Sequence, residues 1–184
     1  MDKSIIEAIK VAIQQKQIVR FARRDIDSDY IYGIPLLLQK ELVLVQFICD
    51  FTIDGYKILC LRDITEVYCS EEEIVYKKIM EQEGIFKEAV ISQIENFINW
   101  KGLFEFLKKK YRAVIIECEE LGEEDFYIGR VVEATETEVK ILYYDTMYRW
   151  NEVPDIIRYD SITLVSFGDR YSTISSKYCR LSGE

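Results

Sequence analysis

The chain has 184 residues, 49% of them hydrophobic and 31% charged, which excludes disorder and allows one medium domain or two small ones. Thirty-three acidic residues against 24 basic ones leave a formal charge of −9, a field that repels nucleic acid overall and suits a basic protein partner. Histidine is absent, which removes Ser-His-Asp and Cys-His relays, histidine metal ligands and histidine pH switches together.

Residues 4–16 place Ile5, Ile6, Ile9, Ala12 and Ile13 at helical spacing behind Asp2 and Ser4. Ile18-Val19-Arg20-Phe21 has strand character and runs into the polar turn 25–29. Tyr30-Ile31-Tyr32-Gly33-Ile34 begins a second strand, with Gly33 at a bend or bulge. A third strand covers residues 42–48, and Asp54-Gly55 is a hairpin signal ahead of Tyr56–Leu61. Ile64–Tyr68 is the last short strand. Ser70 and Glu73 then form a capping box for a helix that Gly84 stops. Residues 86–110 predict one or two further helices, with Lys108-Lys109-Lys110 at the end where the helix dipole favours cations.

The pattern then returns. Val114-Ile115-Ile116 echoes Ile18-Val19-Arg20, and Asp125–Val131 echoes Asp29–Pro35, which puts Gly129 in the place of Gly33. Val139 and Ile141 answer Val43 and Val45 at the same offset, and Ser161–Val165 answers Asp63–Val67 after a slightly longer hairpin. Four echoes in order point to an internal duplication. The domains expected are 1–70, a helix and first barrel, 71–98, a helical connector, and 99–184, a helix and second barrel. A five-stranded unit of that size curls into a small barrel that is marginal alone.

A helix followed by five strands, with glycine early in the second strand, resembles the Sm-like fold. That family's signature ends in an apolar-Arg-Gly triplet before a last apolar strand, matched here by Leu61-Arg62-Asp63-Ile64 and Ile157-Arg158-Tyr159-Asp160-Ser161-Ile162. The resemblance implies a mainly β fold with helices (α+β): two tandem five-stranded Sm/SH3-like barrels, each preceded by a helix and joined by a helical segment. It also implies that Arg62 and Arg158 contact a splayed RNA base. Asp63 and Tyr159 replace the family's glycine, and Gln39 and Thr135 stand where its polar base-reading residues are expected. Pairing of each arginine with a neighbouring carboxylate is the structural alternative.

The remaining features lead to a binding protein. The acidic stretch Glu117–Asp125, in which Glu119, Glu120, Glu123, Glu124 and Asp125 crowd the first hairpin of the second barrel, offers a docking surface for a basic partner. Tyr143, Tyr144, Tyr148 and Trp150 crowd one hairpin, and not all can face inward, so Tyr148, Arg149 and Trp150 are placed at the surface as a protein-binding patch. No phosphate loop, dinucleotide fingerprint or nucleophile elbow occurs, and the carboxylates carry no catalytic spacing. No metal or cofactor is expected. The function expected is a non-enzymatic, protein-interaction module whose partner is another protein or a second copy. RNA is the alternative ligand, a metal-dependent hydrolase the distant one, and DNA and membranes are not expected. Five scattered cysteines and the lack of an apolar leader after Met1 suggest buried reduced thiols and a cytoplasmic location.

Overall fold

The computed structural model describes residues 3–85, 99–119 and 126–180. The chain divides into two compact units, Met1–Ile94 and Glu95–Glu184. Both are mainly β with helices, so the α+β class holds.

In the first unit, α1 (Lys3–Gln15) precedes β1 (Val19–Arg23), β2 (Asp27–Gln39), β3 (Leu42–Cys49) and β4 (Thr52–Cys60). A 3-10 turn at Leu61–Asp63 leads into β5 (Glu66–Tyr68) and then α2 (Glu71–Gln82). The strands are antiparallel and run β5-β1-β2-β3-β4. Helix α1 turns Ile9 and Ala12 inward and lies over β2. Strand β3 is buried along nearly its whole length because both of its faces are covered, which explains the unbroken apolar run Leu42–Val45. A smaller cluster of Ile18, Ile34, Ile48 and Met80 seats α2, which lies within the first unit.

In the second unit, α3 (Trp100–Lys110) precedes β6 (Val114–Glu117), β7 (Phe126–Ala134), β8 (Glu138–Tyr143), β9 (Asp155–Arg158) and β10 (Leu164–Phe167), and α4 (Arg170–Ser175) follows. These strands run β10-β6-β7-β8-β9. Helix α3 begins where the Asn99 side chain accepts the Gly102 N–H at 2.9 Å and ends on Lys108, Lys109 and Lys110. It lies over β7 and stacks Trp100 and Phe104 on Tyr159 with ring centroids 5.7–5.9 Å apart. Among the described residues no ladder joins β5 to β4 or β9 to β10, so neither run of five closes on itself.

Both glycines singled out by the repeat sit at close backbone approaches. Gly33 pairs with Val19 and Phe47, and Gly129 with Val114 and Tyr143. A Cβ at Gly33 would lie 2.4 Å from the Gln46 carbonyl oxygen, and one at Gly129 would lie 2.2 Å from that of Leu142. Each is followed by a bulge, between Pro35 and Leu37 and between Val131 and Glu133.

Three expectations are corrected. Asp54-Gly55 does not make the hairpin: Cys49 pairs with Thr52, and the turn is Asp50-Phe51, both at positive φ (44° and 60°). That is the two-residue turn whose twist suits a hairpin, and Gly55, at φ 72°, sits within β4 where the register shifts. Trp150 is not at the surface but 6% exposed, packed with Ala113, Ile115, Leu142 and Tyr144. None of the five cysteines forms a disulfide, and only Cys60 and Cys118 are buried; Cys49 and Cys69 are exposed.

Candidate functional site

Strand register assembles a constellation of polar and aromatic groups around Arg20 in the first unit. Arg20 on β1 pairs with Tyr32 on β2 on one side and with Tyr68 on β5 on the other. Alternate residues share a face of a sheet, so Tyr30 joins Tyr32 there. The Arg20 guanidinium lies 5.4 Å from the Tyr30 ring centre, 5.9 Å from that of Tyr32 and 5.6 Å from that of Tyr68. Helix α2 supplies the counter-charge: Arg20 meets Glu73 at 2.6 Å and Glu72 at 3.0 Å.

Glu73 belongs to the capping box read from the sequence. It accepts the Ser70 N–H at 2.7 Å and the Ser70 hydroxyl at 2.8 Å, and it is 2% exposed. The first turn of α2 is therefore fixed to β1 by a buried carboxylate that serves a helix cap and an ion pair together. Burial alone would push the Arg20 pKa down, but Glu73, Tyr32 and Glu72 hold it above the ordinary value.

Beside this cluster lies a groove of about 510 Å³, lined by Tyr32, Phe47, Cys49, Asp50, Glu72 and Tyr76 among others. Tyr76 braces the strained hairpin turn at its rim. Its ring stacks on Phe51 at 4.2 Å, and its hydroxyl accepts the Phe51 N–H at 2.7 Å. This holds a bulky residue in left-handed backbone that it would otherwise avoid. Asp50 and Glu72 are exposed at this groove, and the Lys57 ammonium stands 4.6 Å from the Phe47 ring centre. The walls are thus aromatic and the charges acidic, an arrangement suited to a cation.

The residues expected to bind stand elsewhere. Arg149 makes two contacts to the Asp145 carboxylate, at 2.9 and 2.7 Å, and Asp145 also accepts the backbone N–H groups of Met147 and Arg149. Those hydrogen bonds hold Asp145 below the usual carboxylate range, led by the Arg149 side chain. Tyr148 is 40% exposed and Tyr143 half-buried, while Tyr144 and Trp150 are core. Arg130 lies 5.3 Å from the Trp150 ring centre. Glu119 accepts the Thr163 hydroxyl at 2.7 Å, and Glu120, Glu123, Glu124 and Asp125 lie outside the described residues.

Both signature arginines meet carboxylates. Arg62 contacts the buried Asp63 at 3.2 Å, and Arg158 makes a two-point contact with Asp160 at 3.0 and 2.5 Å. Tyr159, which stands where the Sm-like signature has glycine, is 7% exposed in the aromatic stack, and its hydroxyl donates to the Thr135 carbonyl at 2.9 Å. Among the described residues no three Cys, Asp or Glu side chains gather as a metal site would require, and no helix is long and apolar enough to cross a membrane.

Sequence reasoning placed Tyr30 and Tyr32 on the second strand but did not single out Arg20, Glu72, Asp50 or Tyr76 as site residues. The Tyr-x-Tyr alternation on a strand was the available signal. No family model matches the chain, and neither a curated protein nor a solved structure does.

Proposed function

We propose that the chain is a non-enzymatic protein-interaction module, built as a duplicated pair of small, incompletely closed barrels of the Sm/SH3-like kind. The observation that carries the binding reading is the groove on the first unit. It joins Tyr32, Phe47 and Tyr76 to the exposed carboxylates of Asp50 and Glu72. Aromatic side chains that fill a concave surface are the usual energetic centre of a protein interface, and carboxylates at the rim select a basic partner. The net charge of −9 acts in the same direction.

The barrel reading is supported by the return of β5 to β1 after the β1–β4 meander, which is repeated as β10 beside β6. A helix precedes the first strand of each unit, and the two close-approach glycines hold matching ladder positions. Arg62 and Arg158, which would contact RNA in a Sm-like protein, have their guanidinium groups committed to Asp63 and Asp160.

The test is capture on the immobilised protein at low salt, with and without nuclease, alongside an Asp50→Asn/Glu72→Gln variant. A polypeptide retained by the wild type, resistant to nuclease and lost with the variant, supports the reading. Nuclease-sensitive material, or capture indifferent to the variant, overturns it in favour of RNA or of another surface.

A further inference from the structure

The first unit already displays how its aromatic face treats cations. Arg20 is held among Tyr30, Tyr32 and Tyr68 with two carboxylates at hydrogen-bond distance, Arg24 lies 4.2 Å from the Tyr30 ring centre, and Lys57 covers Phe47. Three of the chain's own cations are therefore seated on the rings of one region. The adjoining groove repeats the same chemistry: Tyr32, Phe47 and Tyr76 provide rings, and Glu72 and Asp50 provide carboxylates that face water. Its volume of about 510 Å³ falls in the range of roughly 300–1,000 Å³ typical of ligand pockets.

We infer that this groove receives an arginine side chain presented by an extended segment of the partner protein, an inference that rests on the protein-binding reading above. A planar guanidinium matches the site better than an ammonium. It stacks flat on a ring while its fork of N–H donors engages a carboxylate, and it sheds water more readily. Arg20 does both within the fold: it lies over tyrosine rings and reaches Glu73 and Glu72. Glu72 is shared between the two places, because it pairs with Arg20 at 3.0 Å yet keeps 75% of its side chain exposed at the groove. Neutral segments would meet the rings but leave Asp50 without a counter-charge and Glu72 with Arg20 alone. Acidic segments would be repelled.

The site also carries its own reporter, since the exposed thiol Cys49 lines the groove. The experiment uses the full chain and two short unstructured peptides, one with a central arginine flanked by glycine and serine, the other its citrulline twin. Citrulline keeps the shape and removes the charge. Binding is read by calorimetry, and occupancy by the rate of Cys49 alkylation, followed for each cysteine-containing peptide by mass spectrometry. The arginine peptide is expected to bind, to slow alkylation of Cys49 but not of Cys69, and to lose about tenfold or more in affinity as citrulline. Asp50→Asn/Glu72→Gln is expected to cause a similar loss. Both positions are exposed, and asparagine tolerates the positive φ of residue 50, so the variant keeps the fold.

Equal binding of the two peptides, or arginine binding that leaves Cys49 alkylation unchanged, overturns the inference. If neither peptide binds while the double variant still abolishes capture of a protein, the arginine assignment fails and the protein-binding reading stands. If capture of protein is absent as well, both fail.

Discussion

Removing the Glu73 carboxylate should cost the first unit far more than a helix cap is worth. In Glu73→Ala the capping box opens, a loss of about 1 kcal/mol for a typical cap. The larger effect is on Arg20, whose side chain is 17% exposed and loses its 2.6 Å partner. An abandoned partner of a buried ion pair costs about 3–5 kcal/mol. Here the cost falls below that range, to about 2 kcal/mol, because Arg20 is partly exposed and keeps Glu72 at 3.0 Å and its three tyrosine rings. The expected sum is about 3 kcal/mol. With a urea dependence of about 1–3 kcal/mol per molar, the midpoint should drop by roughly 1–3 M. The assay is urea unfolding followed by far-ultraviolet circular dichroism, with Ser70→Ala as the control that removes only the cap side chain. A second comparison sharpens it: Arg20→Met/Glu73→Leu, which replaces the pair by apolar groups, should be less destabilised than Glu73→Ala alone. If Glu73→Ala loses no more than Ser70→Ala, the pair contributes nothing beyond the cap and the reasoning is wrong.

Other outcomes follow from the same contacts. Gly129→Ala forces a Cβ to 2.2 Å from a backbone oxygen, which a strand cannot relieve by turning a side chain, so a loss of about 1–3 kcal/mol or more is expected in the same assay. Trp150→Ala should cost about 3–5 kcal/mol as a core truncation, measured by urea midpoint, and a midpoint that did not move would contradict its burial. Burial, reinforced by Asp63, pushes the Cys60 thiol from 9.0 up to about 12, and burial pushes the Tyr159 hydroxyl from 10.0 up to about 12. Both folded-state values lie above the unfolded ones, so their contribution is intact below pH 9 and is lost between pH 9 and 12 as the unfolded chain ionises first. A pH series of urea midpoints should fall across that window, and Cys60→Ala should flatten its start. Arg158→Ala should leave the midpoint unchanged, because both partners of its ion pair are exposed.

Signals confined to a few neighbouring residues were legible in the sequence. The capping box at Ser70 and Glu73 is the plainest case, because two side chains of one helix turn carry its chemistry. The leading helices and most of the strands were legible for the same reason; Gly33, expected at a bend or bulge, and its repeat Gly129 instead sit at close backbone approaches just before a bulge. What failed was decided by contacts distant in sequence. Asp54-Gly55 has the composition of a turn, yet the turn falls at Asp50-Phe51, where Tyr76 from α2 holds the Phe51 ring and its N–H. The inward turn of Trp150 depends on Ala113, Ile115 and Tyr144 packing around it. Helix α4 is only six residues long, too short for a periodic pattern, and is started by the Asp169 cap. The Arg20 cluster needs the register of β1 against β2 and β5, and no single segment states it.

The placement of the two tryptophans gives the molecule a one-sided optical address. The sequence contains two, Trp100 and Trp150, and both are buried in the second unit, while the groove of the first unit is walled by tyrosine and phenylalanine. Excitation at the red edge of the absorption band therefore selects indoles of the second unit alone. Their emission should shift to longer wavelength as that unit unfolds and water reaches the rings. Unfolding of the second unit can thus be followed in the intact chain without a label.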